Sequence, residues 1–134
     1  MIYWVIGVAG MIGALLRYGA GLLFPSSWFW GVPAGTLLVN LLGCLALGWF
    51  TVWSIHVYPL PSQIRAGLGT GLIGSFTTFS AFSVEVVKMV SSGLWQSALF
   101  YIFLSFWGGL FLAWCGALLA AKQQKKEQKE VQQT

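Results

Sequence analysis

The chain has 134 residues, 57% of them hydrophobic and only 7% charged, against about a quarter charged in an ordinary soluble domain, which excludes a water-soluble globular fold. The charged residues crowd into a tail: Lys122, Lys125, Lys126, Glu127, Lys129 and Glu130 fall in the last 13 residues, leaving Arg17, Arg65, Glu85 and Lys88 for the preceding 121, so the net charge of +4 is shared equally between a short tail and a long, nearly uncharged body. A basic tail beside an apolar helix suits anionic headgroups better than nucleic acid, so membrane lipid is an expected partner and nucleic acid is not.

A helix crossing about 30 Å of hydrocarbon needs roughly 20 mostly apolar residues, and four such runs follow one another. The first extends from about Ile2 to Phe24 and is expected to be retained, because Met1-Ile2-Tyr3-Trp4 lacks the basic start of a cleaved signal. Pro25-Ser26-Ser27 predicts a turn, and Trp28, Phe29 and Trp30 predict an interfacial anchor. The second run starts near Val32-Pro33, where proline suits a first helical turn, and ends near His56, with Trp53 and Tyr58 as further anchors. Pro59, Pro61 and Ser62 punctuate the link to a third run over about Gln63 to Val90; Ser91-Ser92-Gly93 separates it from a fourth over about Leu94 to Ala121. The organisation predicted is one all-α transmembrane domain, residues 1–121, followed by a polar basic tail, residues 122–134, either a frayed helical extension or disordered. Cys44 and Cys115 lie in apolar runs and behave as small hydrophobes.

Polar residues inside such runs are costly and must face protein or a water-filled path. In the second run Thr36, Asn40, Gly43 and Leu47 share a stripe at i, i+4, i+7 and i+11; Asn40 either glues helices together or offers donors to a path. In the third run Gly67, Gly71 and Gly74 suit close helix packing, yet packing leaves unexplained the hydroxyls of Ser75, Thr77, Thr78, Ser80 and Ser83 among Phe76, Phe79 and Phe82. That cluster predicts a helix broken mid-membrane, with unwound carbonyls free to hold a cation. Phe79 and Phe82 lie on one face, where an aromatic stripe is ordinarily core but ring edges can also meet an anion. In the fourth run Tyr101, Ser105, Gly109, Ala113 and Gly116 form a smooth face for a partner helix. Arg17 is the deepest cation, snorkelling to headgroups or lining a vestibule. Glu85 and Lys88, three residues apart, predict mutual neutralisation, and His56 has no metal partners in the sequence.

Four spans put the N-terminus, the loop between spans two and three and the C-terminus on one side. Without the tail, Arg65 on that side is matched by Arg17 and Lys88 on the other, a Lys/Arg bias close to nil that permits insertion in both directions; the tail lysines favour cytoplasmic termini.

Three segments together resemble the CrcB or Fluc fluoride channels: GALLRY at Gly13 to Tyr18, GTLLVNLLG at Gly35 to Gly43, and GSFTTFSAF at Gly74 to Phe82. The resemblance covers the four-span body and not the tail. It implies an antiparallel, dual-topology homodimer in the bacterial inner (plasma) membrane, with two narrow fluoride pathways and a structural sodium ion at the dimer centre. Where two such proteins are encoded, a heterodimer with a paralogue is a further arrangement. Carried onto matching positions, Asn40 lines each pathway, Phe79 and Phe82 are the pore phenylalanines, and Arg17 marks the vestibule. Tyr101 and Ser105 form a polar track that Thr36 borders, and Ser80 and Ser83 add hydroxyls. The backbone carbonyls of Gly74 and Thr77 hold the sodium. The chain departs from the family pattern at Ser75, Ala81 and Gly109; a Cβ at Ser75 penalises positive φ, so a less permissive turn is expected.

The expected function is therefore a passive, fluoride-selective channel that lowers cytoplasmic fluoride toxicity, and not an enzyme. No ATP-binding motif or proton-relay carboxylate is apparent in the sequence. The competing reading from another class, a proton-coupled small multidrug exporter, requires a membrane-embedded acid that the first run lacks; a transport-inactive assembly subunit explains the small-residue faces but not the hydroxyl and phenylalanine cluster.

Overall fold

A computed structural model describes residues 2–24 and 31–133. Pro25-Ser26-Ser27 and the Trp28, Phe29 and Trp30 anchor lie outside the described residues. Helix α1 spans Ile2–Leu23. Helix α2 spans Ala34–Val52 and continues as a wider π-helical turn over Trp53–Val57. Helix α3 comprises Ser62–Ala66, a π-helical stretch Gly67–Ile73 and a closing turn Gly74–Phe76. Helix α4 spans Phe79–Ser91 and α5 runs 39 residues from Trp95 to Gln133. Four stretches are long and apolar enough to cross a membrane: Ile2–Leu23, Ala34–Val57, Ser62–Ser91 and Trp95–Lys129.

Small residues decide how these helices approach. A Cβ on Gly48 would overlap the Ala113 carbonyl, and one on Gly116 would overlap the Leu45 carbonyl, so the small face of α5 is covered by α2. On α3, Gly67 and Gly71 meet Val5, Ile6 and Ala9 of α1. Gly74 does not join them, since its nearest neighbour would be its own Gly69 carbonyl. The cause is the π stretch, in which the Gly74 N–H bonds Gly69 O five residues back; the wider turn breaks the i, i+4, i+7 register that a regular helix would keep.

The end of α4 is closed by Gly93 at φ 77°, with Leu94 N–H bonded to Met89 O at 2.9 Å, the left-handed stop that glycine permits. Trp49 Nε1 donates to Gln123 Oε1 at 3.1 Å, putting the ends of α2 and α5 on one side. Of the two alternatives for the tail the structure has the helical extension: residues 122–133 continue α5, since Lys, Gln and Glu are good helix formers and an existing helix spares them nucleation. The main apolar cluster, built on Val32, Leu37, Met89, Ala98 and Tyr101, joins α2, α4 and α5 beside the polar residues described next.

Candidate functional site

The helical ladder is interrupted between α3 and α4. Thr77 and Thr78 take extended conformations, φ/ψ of −79°/161° and −148°/124°, and the reason lies in four polar side chains. In a regular helix the Thr78 N–H would bond Gly74 O; here it bonds Asn40 Oδ1 of α2 at 2.8 Å, while Asn40 Nδ2 returns a bond of 2.9 Å to Thr78 O. The Ala81 N–H, which would otherwise bond Thr77 O, is capped by Thr78 Oγ1 at 3.2 Å, the usual role of threonine ahead of a helix. Gly74 O is left to accept from Thr77 Oγ1 at 3.2 Å, and Thr77 O accepts from Arg17 Nη1 of α1 at 3.4 Å. Ser75 raises no strain here: among the described residues only Gly31 and Gly93 have positive φ, and the interruption uses extended backbone that any L-residue adopts.

A groove of about 430 Å³ opens beside this interruption, lined by Asn40, Gly43, Thr77, Phe79, Phe82 and Ser105 among others. The Phe79 and Phe82 rings lie 5.9 Å apart, tilted by 38°, and Phe79 is 80% exposed. Phe82 also meets Tyr101 at 5.0 Å, so three rings lead from the groove into the bundle. There the carboxylate of Glu85 accepts from two helices at once: Thr36 Oγ1 at 2.6 Å and Tyr101 OH at 2.8 Å. Tyr101 is fully buried, and the buried hydroxyl thus has the acceptor that burial demands.

The structure thus brings Asn40, Gly74, Thr77, Phe79, Phe82 and Ser105 to one groove, with Arg17 reaching the Thr77 carbonyl. Thr36 and Tyr101 lie one ring further on. Ser80 bonds Thr78 Oγ1 at 3.2 Å, and Ser83 is turned back onto its own helix at Phe79 O, 2.9 Å away, so neither extends the groove lining. The expected Glu85–Lys88 pairing is corrected: Glu85 spends both oxygens on Thr36 and Tyr101. Sequence spacing could not reveal this, because the two partners are 49 and 16 residues away.

Four apolar spans carrying polar groups that converge on one groove define a multi-pass integral membrane protein. The family described as CrcB-like protein, Camphor Resistance (CrcB), matches residues 4–117, and the chain belongs to it. The "Fluoride-specific ion channel FluC 1" of Bacillus cereus is 44% identical over 119 residues, covering 89% of this chain and 83% of that relative. The "Fluoride-specific ion channel FluC 2" of Geobacillus kaustophilus is 43% identical over 127 residues, covering 95% and 98%. A third relative, FluC 2 of Listeria monocytogenes, is 39% identical over 122 residues, 91% and 92% of the two chains. A bacterial plasma membrane is the setting these relatives and the four spans define. The tail beyond residue 117 lies outside the family match.

Proposed function

We propose that this protein is a passive, fluoride-selective channel that lets fluoride leave the cytoplasm, a reading supported by relatives named fluoride-specific ion channels. The observation that carries the reading is the convergence of Asn40, Phe79, Phe82 and Ser105 on one groove at the interruption of the third span. Fluoride is small and strongly hydrated, so a pore has to replace its water with donors while staying too narrow for larger anions. Asn40 carries two amide protons; one holds Thr78 O, and the second is available to an anion. Phe79 and Phe82 offer ring edges of positive potential, a surface that an anion tolerates and a cation does not.

Beyond this groove the hydroxyls of Thr36 and Tyr101 are engaged by Glu85. An ion moving past Phe82 therefore competes with a carboxylate for those two donors. Arg17, whose guanidinium reaches Thr77 O, supplies the positive potential that draws anions toward the groove mouth.

The reading includes an antiparallel dimer of two copies of this chain, or of this chain and a paralogue, with the third span broken near the bilayer midplane. An 80% exposed Phe79 beside an open groove suits a second copy as its cover. A structural sodium ion fits the same interruption: the carbonyls of Gly74 and Thr77 are hard oxygen donors of the kind such cations take. Each already accepts one hydrogen bond, Gly74 O from Thr77 Oγ1 and Thr77 O from Arg17, and keeps a second lone pair for the ion; a second copy would contribute two more oxygens. Bound there, the ion would supply fixed positive charge at the dimer centre. Nothing favours the proton-coupled exporter, since Glu85, the one carboxylate in residues 1–121, is engaged by two hydroxyls.

Phe79→Ile and Phe82→Ile test the pore assignment. Each is expected to abolish fluoride efflux from proteoliposomes while the purified protein stays monodisperse; undiminished efflux from both variants would remove these rings from the pathway.

A further inference from the structure

The C-terminal extension of α5 is left unused by the transport reading. Helical register puts Lys122, Lys125, Lys126 and Lys129 at i, i+3, i+4 and i+7, one stripe along the helix, and all four side chains are exposed. Ala120, Gln123 and Gln124 form the opposite face: Ala120 is fully buried, Gln123 accepts from Trp49 and Gln124 is half-buried. Advancing that set by two residues gives Lys122, Lys125 and Lys126, a rotation of about 200°. The lysines thus point away from the bundle, toward whatever surrounds the protein.

Their height is also set. Trp49, bonded to Gln123, stacks on Trp53 at 5.2 Å, and Trp53 stacks on Tyr58 at 5.9 Å, an aromatic cluster of the kind that sits at headgroup depth. Lys122 starts at that level, and Lys129 is about 10 Å further along the helix, within roughly one Debye length of the membrane surface at 0.1 M salt. Long lysine stems can carry their ammonium groups back toward the phosphates. We propose that this stripe is a binding surface for anionic phospholipid headgroups, holding a short annulus of such lipids against the outer side of α5. Charge complementarity selects the partner: a line of ammonium groups at this depth meets lipid phosphate before any soluble ligand. The inference stands apart from the transport reading, since no groove residue enters it.

The test uses the full chain reconstituted in phosphatidylcholine vesicles containing trace spin-labelled phosphatidylglycerol or, separately, trace spin-labelled phosphatidylcholine. Electron paramagnetic resonance gives the motionally restricted fraction of each. The native chain is expected to retain phosphatidylglycerol at least about threefold more strongly at low salt, and the preference to fall toward one in 1 M salt, where the Debye length is about 3 Å. The variant K122Q/K125Q/K126Q/K129Q should lose it, and K122R/K125R/K126R/K129R should keep it. Equal retention of the two lipids by the native chain, an undiminished preference in the glutamine variant, or its loss in the arginine variant would each overturn the proposal.

Discussion

Asn40 and Glu85 do at residue scale what backbone does elsewhere. Asn40 replaces a helical carbonyl for Thr78 N–H and a helical amide for Thr78 O, so Asn40→Leu removes two hydrogen bonds of about 1 kcal/mol each and an exposed donor together. The expected outcome is lost fluoride efflux with a lowered unfolding temperature in detergent; unchanged efflux would take Asn40 out of the pathway. Glu85→Ala leaves the Thr36 hydroxyl and the fully buried Tyr101 hydroxyl without their acceptor, a cost of about 1–3 kcal/mol per stranded group, whereas Glu85→Gln keeps one carbonyl oxygen. Thermal unfolding should therefore rank native above Glu85→Gln above Glu85→Ala. The sequence singled out Asn40 because an amide inside an apolar run is costly, leaving helix glue and pathway donor both open; the structure has it bonding Thr78 of the third span. Glu85 was misread as a partner of Lys88, because local spacing is visible in a sequence and a meeting of three helices is not.

Helix contacts obey the same steric logic at the scale of elements. Gly116→Ala would drive a Cβ into the Leu45 carbonyl, an immovable backbone group, whereas at Gly19 a Cβ meets nothing within 4 Å. The first substitution is expected to destabilise the α2–α5 pair by about 1–3 kcal/mol and reduce the monodisperse fraction on size exclusion. Gly19→Ala should be neutral, or stabilising by up to about 1 kcal/mol through helix propensity. Equal behaviour of the two variants would mean that α2 and α5 do not pack through this face. Both ends of the first three spans and the start of the fourth were readable within about two residues, since hydropathy and Pro/Gly punctuation are local signals; the end of the fourth, expected near Ala121, lies at Lys129. The π stretch Gly67–Ile73 was not, because glycines carry no periodicity from which i+5 bonding could be inferred. For the lysine tail the sequence left a helical extension and disorder both open, since polar composition alone does not distinguish a solvated helix from a disordered tail; the structure has the helix.

For the whole molecule, the groove is open and Phe79 is largely exposed, which on the proposed reading calls for a second copy as cover. The expected state is a dimer. Single-molecule photobleaching of one fluorophore per chain, reconstituted at low protein-to-lipid ratio, should give two bleaching steps; a single-step majority would remove the dimer from the account. The family resemblance was legible from GALLRY, GTLLVNLLG and GSFTTFSAF because these segments combine residues that a lipid-facing helix has little reason to keep.

The central claim, selective passive conduction of fluoride, is tested most directly with proteoliposomes loaded with potassium fluoride. Valinomycin starts the efflux and a fluoride electrode follows it, with chloride-loaded vesicles run in parallel in sodium-containing buffer. The account predicts rapid fluoride release with chloride retained; retention of fluoride, or release of both anions at similar rates, would contradict it.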